Sequence, residues 1–159
     1  MADKRASRTA WLLAVFFGAG LSPVAPGTAG SLAAIVLAWL MAHYAGWGQT
    51  HFIILSLAAL GPAVWAAHRA ASGSRDKDPG WVVIDEVAGQ WVAVAGLSVY
   101  NWKSLLAAFL LFRLLDILKP PPVRWLERIP GGAGIVADDV AAGAIAALVL
   151  FMAGCFNLY

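Results

Sequence analysis

The chain has 159 residues, of which 61% are hydrophobic and 13% charged, with a formal net charge of +2 and a mean hydropathy of +0.75. Soluble domains usually carry about 25% charged residues, so an ordinary soluble enzyme is excluded; the chain reads as one integral-membrane domain over residues 1–159, with 1–10 a polar cytoplasmic tail. No basic run alternates with aromatics as a nucleic-acid surface requires, and the single Cys155 excludes an internal disulfide and any multi-cysteine metal cage.

Lys4, Arg5 and Arg8 precede the apolar stretch 11–20, which has the outline of a signal peptide, but the Pro and Gly residues behind it make a poor cleavage site. With Pro23 and Pro26 so close, that stretch is predicted to be an interfacial or re-entrant helix rather than a span. Five longer apolar segments follow, near 31–44, 52–67, 81–99, 105–118 and 134–156. A full span takes about 20 apolar residues. The last segment is long enough and 81–99 nearly so; the others borrow flanking residues or cross a thinned bilayer at a tilt. The predicted fold class is therefore all-α: a polytopic membrane helical bundle of four to five membrane-embedded helices plus the short N-terminal helix. Cys155, near the end of the last segment, is expected to be a small buried hydrophobe.

Basic residues collect in three places: the amino terminus, the loop 68–80 with Arg69, Arg75 and Lys77, and the stretch 119–134 with Lys119, Arg124 and Arg128. The other two loops hold only Lys103. An excess of Lys and Arg marks the cytoplasmic side, which places all three basic regions there and the carboxyl terminus outside.

The few charges inside the apolar segments carry the functional reading. A charge at the centre of a bilayer helix costs roughly 3 kcal/mol on mild scales, so six would cost on the order of 20 kcal/mol if each stood alone. Asp85-Glu86 and Asp138-Asp139 each lie about one turn into a segment entering from the cytoplasm, and Arg113, Asp116 and Lys119 occupy the last two turns of one returning to it. All of them converge on one depth and one side. Paired carboxylates supply hard oxygen ligands, the set that suits Mg²⁺ or Mn²⁺; five acids against two bases leave a surplus of negative charge that invites a cation. Salt bridges to Arg113 and Lys119 that merely tie the helices together are the bland alternative. Arg113, Asp116 and Lys119 recur every three residues on one helix face, and a guanidinium with an ammonium suits phosphate oxygens. The Gly-rich turn from Ser22 to Ser31 leads into a helix and can present backbone N–H groups to an anion, with Thr28 and Ser31 as caps or phosphate contacts. The stretches Val83-Ile84-Asp85-Glu86-Val87-Ala88 and Val136-Ala137-Asp138-Asp139-Val140-Ala141 also look like a parallel repeat. His43, His51 and His68 sit at segment ends with no ligand spacing and read as interfacial polar residues.

Four stretches give the chain a likeness to a known family: Gly20-Leu21-Ser22-Pro23-Val24-Ala25-Pro26-Gly27-Thr28 with Gly30-Ser31; Ile84-Asp85-Glu86 with Gly89; Phe112-Arg113 with Asp116 and Lys119-Pro120; and Gly134-Ile135 with Asp138-Asp139 and Gly143. In this order and spacing the chain resembles the type A phosphatidylglycerophosphatases, from about Trp11 to Leu150. Ala29 and Val136 stand where that family often has larger residues, which touches packing and not the ligand set. Asp76 and Asp78 lie in a stretch that varies in the family and receive no role. The resemblance implies a Mg²⁺-dependent enzyme of the bacterial cytoplasmic (inner) membrane that removes the terminal phosphate of phosphatidylglycerol phosphate, with its active site facing the cytoplasm. Residues and resemblance agree on a metal set of Asp85, Glu86, Asp138 and Asp139, with Asp116 a further ligand or an orienter. Arg113, Lys119, Thr28 and Ser31 are the expected phosphate contacts. The expected chemistry is in-line attack on phosphorus by an activated water, one carboxylate accepting its proton, with an aspartyl-phosphate intermediate as the other route. A small ion or proton transporter is the competing reading, but it needs carboxylates near the midplane with access from both sides. Histidine-based lipid phosphatases and CDP-alcohol phosphotransferases need motifs that the sequence lacks.

Overall fold

A computed structural model describes the backbone of residues 4–72 and 79–159, and the side chains of all of these except 4–7. Arg75, Asp76, Lys77 and Asp78 lie outside the described residues, as do the side chains of Lys4 and Arg5. The described chain is all-helical: α1 Lys4–Ala14, α2 Pro26–Ala45, α3 Gln49–Ser72, α4 Ile84–Ala95, α5 Trp102–Leu118, α6 Val123–Leu126 and α7 Gly132–Cys155, with a short 3-10 turn at Ala19–Leu21. Three of these, α2, α3 and α7, are long and apolar enough to cross a membrane.

The hub is α4. With 12 residues it is about 18 Å long, well short of the hydrocarbon core of about 30 Å. It packs against α7, α3, α2 and α5, and Asp85, Val87, Ala88, Gly89, Gln90, Trp91, Ala93 and Val94 are all buried. A helix wrapped by other helices rather than lipid can hold polar side chains at membrane depth. The helix α7 runs parallel to α4 and close to it: Gly89 lies against Asp139, Gly143 against Gly89, and Gly96 against Ala147. A Cβ on Gly143 would stand 2.2 Å from the Gly89 carbonyl oxygen, and one on Gly96 2.3 Å from that of Ala147. Backbone-to-backbone contact of this kind is why small residues line such helix pairs. The two similar acidic stretches thus stand side by side in parallel helices, at matching levels.

Two local expectations change. The apolar stretch 11–20 is not one helix: α1 starts earlier, in the polar tail, and stops at Ala14. Phe16 and Phe17 then take φ of 37° and 53°, and Gly18 takes 89°, so the chain reverses. The reversal is held by the Val83 N–H donating to the Ala14 carbonyl at 2.8 Å, and Gly20 fits against the Trp81 carbonyl where no Cβ could. Cys155 is exposed rather than buried; it falls in the last turn of α7 beside exposed Met152 and Phe156, on a face that a bilayer can cover. At the other end of the bundle α5 opens with a capping box, in which the Asn101 side chain accepts from Ser104 N–H at 3.0 Å and Ser104 Oγ accepts from Asn101 N–H at 3.1 Å.

Candidate active site

Four elements meet where the acids lie. The first turn of α4 supplies Asp85 and Glu86, and the second turn of α7 supplies Asp138 and Asp139. The last two turns of α5 supply Arg113 and Asp116, and Lys119 caps that helix in a left-handed conformation (φ 45°). Pro120, Pro121 and Pro122 follow, and proline cannot continue a helix. Asp85, Asp116, Asp138 and Asp139 are all buried.

The five carboxylates do not behave as one group. Arg113 Nη1 donates to Asp116 Oδ2 at 2.5 Å and lies 3.7 Å from Glu86 Oε1. Lys119 Nζ donates to Asp138 Oδ2 at 2.6 Å and to Glu127 Oε1 at 2.5 Å. Burial works against the Lys119 charge, but these two carboxylates overcome it and hold its pKa above the ordinary lysine range. Of the five, Asp116 and Asp138 make the shortest of these contacts. The other three, Asp85, Glu86 and Asp139, each place an oxygen within 4.8 Å of the others. Carboxylate oxygens from three residues are thus crowded into one buried spot. Such crowding requires a shared proton or a cation. Glu86 Oε2 and Asp139 Oδ2 are buried and accept no hydrogen bond.

The amino end of α2 closes the site on the side of Glu86. Its N-cap is Ala25, in a left-handed conformation and without a side-chain cap, and Pro26 occupies the first turn. Ladder bonding begins with the Ala29 N–H donating to the Ala25 carbonyl, which leaves the Gly27 and Thr28 amides at the exposed end of the helix dipole. A Cβ on Gly27 would lie 1.9 Å from Glu86 Oε1 and 3.4 Å from Arg113 Nη1. Ser31 is buried, and its hydroxyl donates to the Gly27 carbonyl at 3.1 Å. It neither caps α2 nor reaches the acids. Thr28 is half-buried in the first turn.

The site residues read from the sequence are thus brought to one end of one bundle, in two subgroups. Asp85, Glu86 and Asp139 converge, with Arg113 and Asp116 at their edge; Asp138 stands apart with Lys119 and Glu127. Two contributors had no individual role in the sequence reading. Gly27 was only part of a glycine-rich turn, and its closeness to Glu86 is tertiary information. Glu127 lies in a basic stretch after three prolines, where nothing marks it as the partner of a lysine eight residues earlier.

The sequence profile of the phosphatidylglycerophosphatase A family matches residues 12–154. The chain belongs to that family. Phosphatidylglycerophosphatase A of Escherichia coli K12 is 40% identical over 144 residues, covering 90% of this chain and 82% of the relative. The protein of the same name from Haemophilus influenzae is 38% identical, with 88% and 85% covered. A Bacteroides thetaiotaomicron protein described as a putative phosphatidylinositol-3-phosphatase is 36% identical, with 94% and 96% covered. No solved structure matches. As a member of the family the chain is a phosphatase, and the transporter reading falls.

Proposed function

We propose that this enzyme hydrolyses the terminal phosphomonoester of phosphatidylglycerol phosphate with the help of Mg²⁺, at the cytoplasmic face of a bacterial inner membrane. The observation that carries the reading is the convergence of Asp85, Glu86 and Asp139, which each place an oxygen within 4.8 Å of the others. Hard oxygen donors in surplus negative charge fit Mg²⁺, and the buried acceptors Glu86 Oε2 and Asp139 Oδ2 are open to it. When bound, Mg²⁺ supplies charge neutralisation and Lewis acidity toward phosphoryl oxygens.

The chain's own residues do the rest. Arg113 is held by Asp116 at 2.5 Å, which fixes the guanidinium beside Glu86 and aims its remaining N–H groups at phosphate oxygens. The Gly27 and Thr28 amides add donors from the end of α2, and Lys119 approaches from the other flank. These donors neutralise the charge on the equatorial oxygens as the P–O bond breaks. A carboxylate of the group, Asp139 being the most enclosed, accepts the proton of the attacking water. The acyl chains stay in the bilayer while the head group rises to the site. Asp138 takes part by holding Lys119 rather than as a fourth member of the carboxylate group.

The test is phosphate release from phosphatidylglycerol phosphate in mixed micelles, with Mg²⁺ and with EDTA, for the parent and for Asp139→Asn. The expected result is turnover that needs Mg²⁺ and is lost in the variant. Turnover that survives both EDTA and Asp139→Asn would overturn the reading.

A further inference from the structure

The proposed substrate carries two phosphates, the terminal monoester and a diester that links its glycerol to the lipid. The carboxylate group accounts only for the first. Beside it, between the end of α3, the α6–α7 connection and the first turns of α7, lies a cavity of about 500 Å³ whose polar lining is His68, Ser72, Glu127, Arg128, Gly131 and Asp138. That volume falls within the range of small-molecule sites.

Asp138 supplies the decisive observation. Its side chain is 6% exposed, and Oδ2 is taken by Lys119. Its Oδ1 is buried and accepts no hydrogen bond, yet the residue lines the cavity. An unsatisfied buried acceptor costs about 1–3 kcal/mol, and more when charged, so a small turn of this side chain toward the cavity would be rewarded by a donor placed there. The start of α7 borders the same space. Its N-cap is Gly131, at φ 74° and without a side-chain cap. A Cβ there would stand 2.9 Å from His68 Nδ1, and one on Gly132 2.4 Å from the His68 amide nitrogen. The helix end is thereby pinned beside His68 with its amides uncapped. Among the described residues, charges of Lys119 and Arg128 offset those of Glu127 and Asp138, leaving the positive end of the α7 dipole, roughly half a charge. A monoanion that also carries a hydroxyl fits this balance.

We propose that the cavity is a subsite for the phosphodiester and glycerol hydroxyl of the head group, and so the part of the enzyme that tells one lipid phosphate from another. The proposal rests on reading the carboxylate group as the phosphatase centre. The diester sits against Arg128, His68 and the first amides of α7, and the hydroxyl donates to Asp138 Oδ1. Successive residues on a helix diverge by about 100°: Asp139 faces the carboxylate group and Asp138 the cavity, with Lys119 on the Asp138 side. The glycerol spans the two sites.

The test uses the full chain in detergent micelles and the deacylated diester glycerophosphoglycerol, which has no monoester, in a ³¹P NMR titration. Saturable binding is expected, weakened at least tenfold by Arg128→Gln, which alters an exposed side chain, and by Ala71→Trp, which fills the cavity from α3. Asp139→Asn should bind the diester like the parent. In turnover of phosphatidylglycerol phosphate, Arg128→Gln should raise KM about tenfold, whereas a lipid monoester without the diester, phosphatidic acid, should gain no such penalty. No saturable binding, or equal binding by parent, Arg128→Gln and Ala71→Trp, overturns the subsite. Saturable diester binding by a parent that releases phosphate from no lipid leaves the subsite standing and sinks the phosphatase reading instead.

Discussion

Replacing Gly27 with alanine places one methyl group in the site while leaving every charged residue in place. The new Cβ would lie 1.9 Å from Glu86 Oε1 and 2.9 Å from its carboxyl carbon. Ordinary contact between such atoms begins near 3.5 Å, so the carboxylate has to retreat by about 1.5 Å. Its route is blocked on one side by Arg113, 3.7 Å away. Displacement of a reacting group by about 1 Å is enough to cost about 100-fold in rate, equivalent to about 2.7 kcal/mol of barrier. The expected result is a fall of about 100-fold in kcat/KM together with a higher Mg²⁺ requirement. Stability should fall by no more than about 1–3 kcal/mol from crowding the buried carboxylate, a loss partly offset because alanine is the better helix former. Phosphate release at graded Mg²⁺, beside thermal unfolding followed by tryptophan fluorescence in the same detergent, separates the two effects. Parental kcat/KM in a folded Gly27→Ala protein would refute the use of Glu86 in the reaction, since its carboxylate cannot stay where it is.

Arg113→Lys should lower kcat/KM by about 100-fold while Lys119→Arg costs less than tenfold, because only the former loses a planar fork shared between Asp116, Glu86 and phosphate; steady-state kinetics on both settle the order. Asp138→Asn should retain measurable turnover and Asp139→Asn none: an amide can still accept from Lys119, but it cannot replace a carboxylate in the converging group. Gly143→Ala should destabilise the bundle by about 1–3 kcal/mol through overpacking against Gly89, or roughly 5 °C in Tm for a chain of this size, read by the same fluorescence melt.

Much of the site was legible because charge inside an apolar run has few innocent explanations. Asp85, Glu86, Arg113, Asp116, Asp138 and Asp139 could be picked out one by one, and the depth argument put them at one end of the bundle. The sequence could not divide them. Adjacent acids on a helix point about 100° apart, and which of Asp138 and Asp139 faces α4 depends on how α7 is rotated. That rotation is fixed by Gly89, Gly96 and Gly143, whose contacts are tertiary. The segment 81–99 read as nearly a span because hydropathy alone carried it; the helix is only Ile84–Ala95, and its apolar flanks serve to seat it among other helices. The reversal at Phe16 and Phe17 was hidden for a related reason. Two aromatic residues at positive φ go against local preference, and only packing, Phe16 edge-on to Trp91 at 5.8 Å, makes that backbone worth adopting.

The spacing of α4 and α7 and the chemistry of the carboxylates are one design variable. Gly89 presses on the Asp139 carbonyl, where a Cβ would stand 2.6 Å away, and Gly143 presses on Gly89. The contact that lets the two backbones touch thus also sets how far Asp139 stands from Asp85 and Glu86. Mg²⁺ demands oxygens at about 2.0–2.1 Å in near-ideal geometry, whereas Ca²⁺ tolerates about 2.3–2.6 Å and irregular shells. A glycine-to-glycine interface is the stiffest way to hold two helices close, since no side chain can change rotamer to relax it. Burying α4 within a cage of α2, α3, α5 and α7 keeps the carboxylates away from lipid, and the same cage denies them the freedom to spread for a larger ion. The small residues next to the acids are therefore as much a part of the proposed cation selectivity as the acids are.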